Sequence, residues 1–345
     1  MIPGNEHRRR GRRERVKQRQ LFQTGKRVSE VGLGCMSFGG FYGATTEVEA
    51  HRTLSKALDL GVDFLDTANV YGLGVSEKMI GTFLTGDNTK FTIATKAGIW
   101  RDREHGNRGF NNQAEHLRAE LEGSLKRLGI DHVDLFYIHR RDRSIEIEEV
   151  METLLALKGE GKIGGIGFSE IAPASLRRAC AVGPVDAVQS EYSLWSRQPD
   201  LGILKTCKEL GVALVAYSPL ARGMVSSVLP DPASFLEKDI RKTNPRFVEP
   251  NFSFNLAYAK RFQAYALDHG TTATALAIAW CLARADHIIP IPGTRSAEHL
   301  AECVAGTELS LSDTMMTEIE EILPSGWAHG DRYTREQWAG PEGYC

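Results

Sequence analysis

No stretch of about 18 consecutive apolar residues occurs in the 345-residue chain, so no membrane span and no membrane partner are expected. The N-terminus carries charge but no apolar core segment, which argues against a secretory signal. The six cysteines, Cys35, Cys180, Cys207, Cys281, Cys303 and Cys345, form no CxxC pair and no Cys/His group at metal spacing. Neither a disulfide framework nor a bound metal is indicated, and a reducing, cytoplasmic setting fits best. Net positive charge is confined to one place. The formal net charge is -2, yet residues 1–19 hold eight Arg/Lys against Glu6 and Glu14, which leaves the remainder near -8. An acidic body gives no sign of a nucleic-acid partner, and an Arg-rich arm without aromatics is expected to be disordered. The organisation read from the sequence is therefore a basic arm over 1–20 and one domain over 21–345.

Within that domain, short apolar runs alternate with helical patterns. The expected strands are 31–36, 64–68, 91–96, 133–139, 164–169, 186–192, 212–218 and 287–293. Between them lie stretches such as "TEVEAHRTLSKALDLG" and "AEHLRAELEGSLKRLG", which have helix periodicity and end on glycine. Strands each followed by a helix mean a parallel sheet covered by helices, and eight such units favour a closed (β/α)8 barrel, an α/β TIM barrel. The alternative, a doubly wound open sheet, would carry a G-x-G-x-x-G turn after its first strand. Here that place reads "GLGCMS", without the third glycine. Ahead of the barrel, "LFQTGKRVSEVGLG" reads as a hairpin turning at Thr24-Gly25 that could plug the barrel bottom. A proline-rich excursion follows strand seven, with helices expected at about 253–269 and 272–284.

Active sites of such barrels lie at the C-terminal ends of the strands. Strand two ends in Asp66, with Tyr71 just beyond; strand three ends in Lys96 and strand four in His139. A phenol is a poor acid at neutral pH, and a nearby ammonium lowers its pKa. Asp66 would hold Lys96 charged, and His139 could orient a carbonyl oxygen. Singly, each of these residues is more often an ion-pair partner or core packing. Their placement at the ends of consecutive strands makes the catalytic set the better reading.

The stretches "FLDTANVYG", "TIATKAG" and "DLFYIHR" resemble the signatures of the aldo-keto reductase superfamily, from about Leu21 to Tyr333. "GIGFSE", "VQSEYSLWSR" and "AYSPLARG" are similar to its plant and bacterial branch related to perakine and pyridoxal reductases. The resemblance implies an NADPH-dependent carbonyl reductase without metal or flavin. Tyr71 would protonate the oxygen of an aldehyde or ketone, Lys96 would lower the tyrosine pKa, Asp66 would hold Lys96, and His139 would position the substrate. An alternative is a nucleotide-sensing regulatory subunit of the same fold with little turnover. Oligomeric state stays open.

Cofactor contacts can then be placed. Tyr217 after strand seven offers a face on which a nicotinamide could stack. The loop behind it, Ser218, Pro219, Leu220, Arg222 and Gly223, could wrap a pyrophosphate. "IPGTRSAEHL", containing Ile291, Gly293, Thr294, Arg295 and Ser296, opens a helix whose free N–H groups favour phosphate. Arg295, with its planar fork, suits a 2′-phosphate, so NADPH is expected over NADH. The resemblance implies nicotinamide amide contacts at Ser169 and Gln189, and further cofactor contacts at Gly34, Cys35, Met36, Asp66, Glu170, His299, Glu302 and Cys303. Three of these depart from the common pattern: Glu170 stands for Asn, Cys303 for an adenine-contacting Asn, and His299 for a longer polar side chain. Candidate pocket walls are Phe41, Tyr42, Trp100, Trp195, Trp327 and Tyr333, an aromatic set suited to bulky or cyclic carbonyls.

Overall fold

A computed structural model describes residues 16–21, 23, 25–85, 91–101 and 108–343. The arm as far as residue 15, Thr24 of the expected turn, and Cys345 lie outside the described residues. The first hairpin joins β1 (Gln18–Gln20) to β2 (Arg27–Ser29), antiparallel, with Gln18 opposite Ser29. Its first strand thus falls inside the stretch assigned from sequence to a disordered arm. The reason is Arg19, whose guanidinium donates to the carbonyls of Leu282, Ala285 and Ile288 at 2.6 to 2.9 Å. Leu21 and Val28 from this hairpin are buried in one cluster with Phe64, Leu135, Tyr137, Val215 and Ile289, the barrel interior. The hairpin plugs the barrel bottom, as expected.

The barrel then runs in βα order. Strand β3 (Leu33–Gly34) leads to α1 (Glu47–Leu60), which opens with a capping box between Thr46 and Glu49. Next come β4 (Phe64–Asp66), α2 (Val75–Leu84) and β5 (Thr92–Ala97). A second hairpin, β6 (Ile99–Arg101) with β7 (Arg108–Phe110), interrupts the alternation before α3 (Ala114–Leu128). The order continues with β8 (Val133–Ile138), α4 (Ile147–Gly159), β9 (Ile163–Ser169), α5 (Pro173–Val182), β10 (Ala187–Glu191), α6 (Ile203–Leu210) and β11 (Ala213–Tyr217). After the excursion come α7 (Asn251–Asp268), α8 (Ala273–Ala283), β12 (Ile288–Ile291), α9 (Ala297–Ala305) and α10 (Asp313–Ile322).

Eight parallel strands pair in the spatial order β12-β11-β10-β9-β8-β5-β4-β3. Gly32 and Gly34 donate to Pro290 and Pro292 at 3.0 Å, and Gly34 bridges Gly293, so the ends meet and the barrel closes. The eight strands fall where the sequence placed them; four are trimmed by a residue or two, and the first and last are cut back further, to Leu33–Gly34 and Ile288–Ile291. The larger core lies between the strands and the helix ring, where Leu54, Leu121, Leu154, Phe168, Ile278 and Leu300 are buried. The excursion lies on the face where the strands end: Ile240 N–H donates to the Phe41 carbonyl, and the Arg241 guanidinium covers the rings of Phe235 and Tyr42. Among the described residues no helix is long and apolar enough to cross a membrane.

Candidate active site

Asp66 ends β4 and Lys96 sits near the end of the neighbouring β5, both fully buried. A buried ammonium is tolerable only with partners for its N–H groups. Lys96 Nζ has three: the Asp66 carboxylate, the Thr67 carbonyl at 2.7 Å and Tyr71 Oη at 3.5 Å. Asp66 also accepts from Gln189 Nε2 at 2.7 Å. The turn that returns Tyr71 to the mouth depends on backbone contact. A side chain at Gly39 would meet the backbone of Tyr71 and Gly72 at 2.6 Å, and Gly72 itself has φ 61°. His139, just past β8, and Phe41 each make an edge-to-face contact with the Tyr71 ring, with centroids 5.9 Å apart in both cases.

Burial pushes the Asp66 carboxyl above its ordinary value, and Lys96 and Gln189 offset part of that. Burial pulls Lys96 down, but Asp66 and Tyr71 outweigh it, and the ammonium is held charged. For Tyr71 the sequence expectation needs correction. Lys96 does draw the phenol pKa down, yet burial raises it by more, and the net shift is upward. Tyr71 therefore keeps its proton at neutral pH.

A cavity of about 650 Å³ opens over this set, within the usual range for small-molecule sites. Tyr71, His139, Phe41, Tyr42 and Tyr333 line it together with Gly34, Met36, Asp66, Ser169, Gln189, Tyr217, Ile291, Gly293, Thr294, Arg295 and His299. Ser218, Pro219, Leu220, Arg222 and Gly223 form one wall, a loop in which Ser218, Ala221 and Arg222 all have φ near 50°. Non-glycine residues persist in that region only where the surroundings over-determine them, and such strain gathers at ligand sites.

Several expected contacts are not among the residues lining this cavity. Cys35 and Cys303 are fully buried in the core behind the strands and on the inner face of α9. The Ser296 hydroxyl caps α9 by accepting from His299 N–H, and Glu302 accepts from Ser227 Oγ. Glu170 is buried against Arg332 rather than facing the cavity. Among the aromatic walls, Trp195 and Trp327 pack on each other and on Phe247 and Tyr258 beneath the tail. Trp100 lies on the second hairpin, 44% exposed, outside the cavity. Conversely, Arg140, Arg241, Ile99 and Gln337 line the cavity without having been singled out. Arg140 was in view, since it follows His139 directly; its guanidinium donates to Ser169 Oγ at 2.9 Å.

The aldo/keto reductase family profile matches residues 30–324. The chain belongs to the aldo/keto reductase family. It is 38% identical over 311 residues to the aldo-keto reductase yakc [NADP(+)] of Schizosaccharomyces pombe, covering 89% of this chain and 92% of that one. The glycerol dehydrogenase AKR11B4 from Gluconobacter oxydans superposes with a TM-score of 0.80 at 28% identity, over 89% of this chain and 94% of the other. The holo form of the aldo-keto reductase AKR11C1 from Bacillus halodurans gives 0.74 at 26% identity, over 93% and 99%. As an aldo/keto reductase, the chain is an NAD(P)H-dependent oxidoreductase acting on carbonyl groups.

The residues present fit that cofactor. A side chain at Gly34 would meet the Ile291 carbonyl at 2.9 Å, so β3 and β12 meet backbone to backbone and present bare main chain to the cavity at Gly34 and Gly293. Arg295 lines the cavity beside the α9 N-terminus, a place suited to an anion, while Arg222 and Arg241 on the same wall are paired with Glu191 and Asp239.

Proposed function

We propose that the protein is an NADPH-preferring reductase of aldehydes and ketones, with Tyr71 as proton donor. NADPH, when bound, supplies the hydride to the carbonyl carbon. A carbonyl oxygen facing Tyr71 Oη and His139 would be held by two donors, and the phenol O–H would pass its proton to that oxygen as negative charge develops. Lys96, fixed by three acceptors, would stabilise the phenolate that remains, and Asp66 would keep Lys96 charged. The mostly apolar rim of Met36, Phe41, Val70 and Ile99 would exclude water from the reacting centre.

The observation that carries this reading is the buried Lys96 ammonium, which contacts both the Asp66 carboxylate and the phenol of Tyr71, whose ring lies against that of His139. The test follows NADPH oxidation by absorbance against a panel of aldehydes and ketones, with Tyr71→Phe in parallel. Turnover by the wild type and a loss of 100-fold or more in Tyr71→Phe is the expected result. Equal turnover by the two proteins would remove Tyr71 from the role.

A further inference from the structure

Tyr217 closes the cavity where β11 ends, and its hydroxyl is occupied on both sides. It donates to Glu170 Oε1 at 2.9 Å and lies 2.5 Å from Tyr333 Oη, which belongs to the tail after α10. Glu170 accepts in turn from Arg332 Nη2 at 2.6 Å and from the Glu191 N–H at 2.9 Å. Both side chains of the Glu170–Arg332 pair are fully buried, although 162 residues separate them. The Arg332 guanidinium also covers the Tyr333 ring at 4.6 Å, and Arg222 covers it at 5.3 Å. Further along, the Glu342 N–H donates to the Glu170 carbonyl at 2.9 Å, and the Glu342 carboxylate accepts from the Ala172 N–H at 2.8 Å.

A buried carboxylate at the end of β9 needs a counter-ion, and the tail supplies it. With Arg332 seated and covering its ring, Tyr333 lies against the Tyr217 hydroxyl. The Tyr217 hydroxyl is thereby held from two sides, by Glu170 at the end of β9 and by Tyr333 of the tail. We propose that the C-terminal tail sets the nicotinamide platform: Tyr333, seated by the Arg332–Glu170 pair, is a positioning residue that acts through the Tyr217 hydroxyl. The inference rests on the cofactor placement given above, with the nicotinamide over Tyr217. The same tail residue lines the substrate cavity, so the order of the platform and the shape of the pocket are set together.

The experiment measures dissociation constants for NADPH and for 2′,5′-ADP, which lacks the nicotinamide, in wild type, Tyr333→Phe, Tyr217→Phe and the double variant. Each change removes one hydroxyl and keeps the ring, so folding is preserved. Tyr333→Phe is expected to weaken NADPH about fivefold or more while leaving 2′,5′-ADP within about twofold. In the Tyr217→Phe background it is expected to add nothing further, because its only route is gone. Equal weakening of both ligands, no effect on either, or an undiminished effect of Tyr333→Phe when Tyr217 is already Phe would each overturn the proposal. A wild type that binds neither ligand would instead overturn the cofactor placement.

Discussion

Gln189 reaches from β10 to Asp66 at the end of β4, 123 residues earlier in the chain, and donates from Nε2 to Oδ2 at 2.7 Å. Its expected partner was a nicotinamide amide. Gln189 lines the cavity where that amide would lie, and Asp66 is clamped between two donors, Lys96 on one oxygen and Gln189 on the other. A carboxylate in a barrel interior survives because both oxygens are answered, and the Lys96 ammonium survives because its three N–H groups are.

Breaking that set from one side should cost far more than removing it whole. Lys96→Met leaves Asp66 buried without its cation and is expected to lower unfolding free energy by about 3 to 5 kcal/mol. Lys96→Met combined with Asp66→Asn is expected to recover much of that loss. Urea unfolding of the two single variants and the double variant measures the coupling; independent, additive costs would refute the pairing.

The Glu170–Arg332 pair gives a pH dependence of known sign. Arg332 and Arg140 overcome the burial that would raise the Glu170 carboxyl, and hold it at about 2 against an ordinary 4.5. A depressed folded-state pKa means stability fully present above about pH 4.5 and lost as pH falls toward 2, worth about 3 kcal/mol. Denaturant midpoints taken between pH 6 and pH 3 should therefore fall more steeply for wild type than for Glu170→Gln. Parallel slopes would show that this carboxylate is not the group responsible.

How much of this was legible in the chain differs by feature. The strands were, because continuous apolar runs such as "VDLFYI" are buried on both faces and stop abruptly at polar residues. Asp66, Lys96 and His139 were legible for the same reason, as the polar stops themselves. Arg332 was not: a single arginine in a loop has no period, and its partner is set only when the barrel brings the end of β9 under the tail. Trp195 and Trp327 looked like pocket walls because a tryptophan in a loop, whether after a strand or in the tail, reads alike whether it faces solvent, ligand or another tryptophan. The hairpin carrying Trp100 was hidden because its strands have only three residues each. β1 was missed because Arg19 reads as one more charge in a basic run, whereas its fork answers three carbonyls at the end of α8 and the start of β12.

That role predicts a boundary in the arm. Arg19→Ala removes donors from carbonyls that partial burial keeps from water, and is expected to destabilise by about 1 to 3 kcal/mol. Thermal unfolding of this variant should show a midpoint several degrees lower. An unchanged midpoint would mean that the β1 hairpin is dispensable.

Arg295 is the last position at which the chain can be asked which nicotinamide cofactor it prefers. Its guanidinium lies at the cavity edge beside the N-terminus of α9, and Nη1 donates to the Ala44 carbonyl at 2.9 Å, so the fork is steered by the loop after β3. A 2′-phosphate beside it would gain a charge-assisted bond that NADH cannot make. Arg295→Ala is accordingly expected to weaken NADPH by about 10- to 100-fold while leaving NADH within about threefold, read from fluorescence titration of each cofactor. Low salt should widen the gap for wild type and leave the variant nearly flat, since the lost term is electrostatic. If both cofactors weaken alike, Arg295 serves the Ala44 loop and the helix end rather than the phosphate.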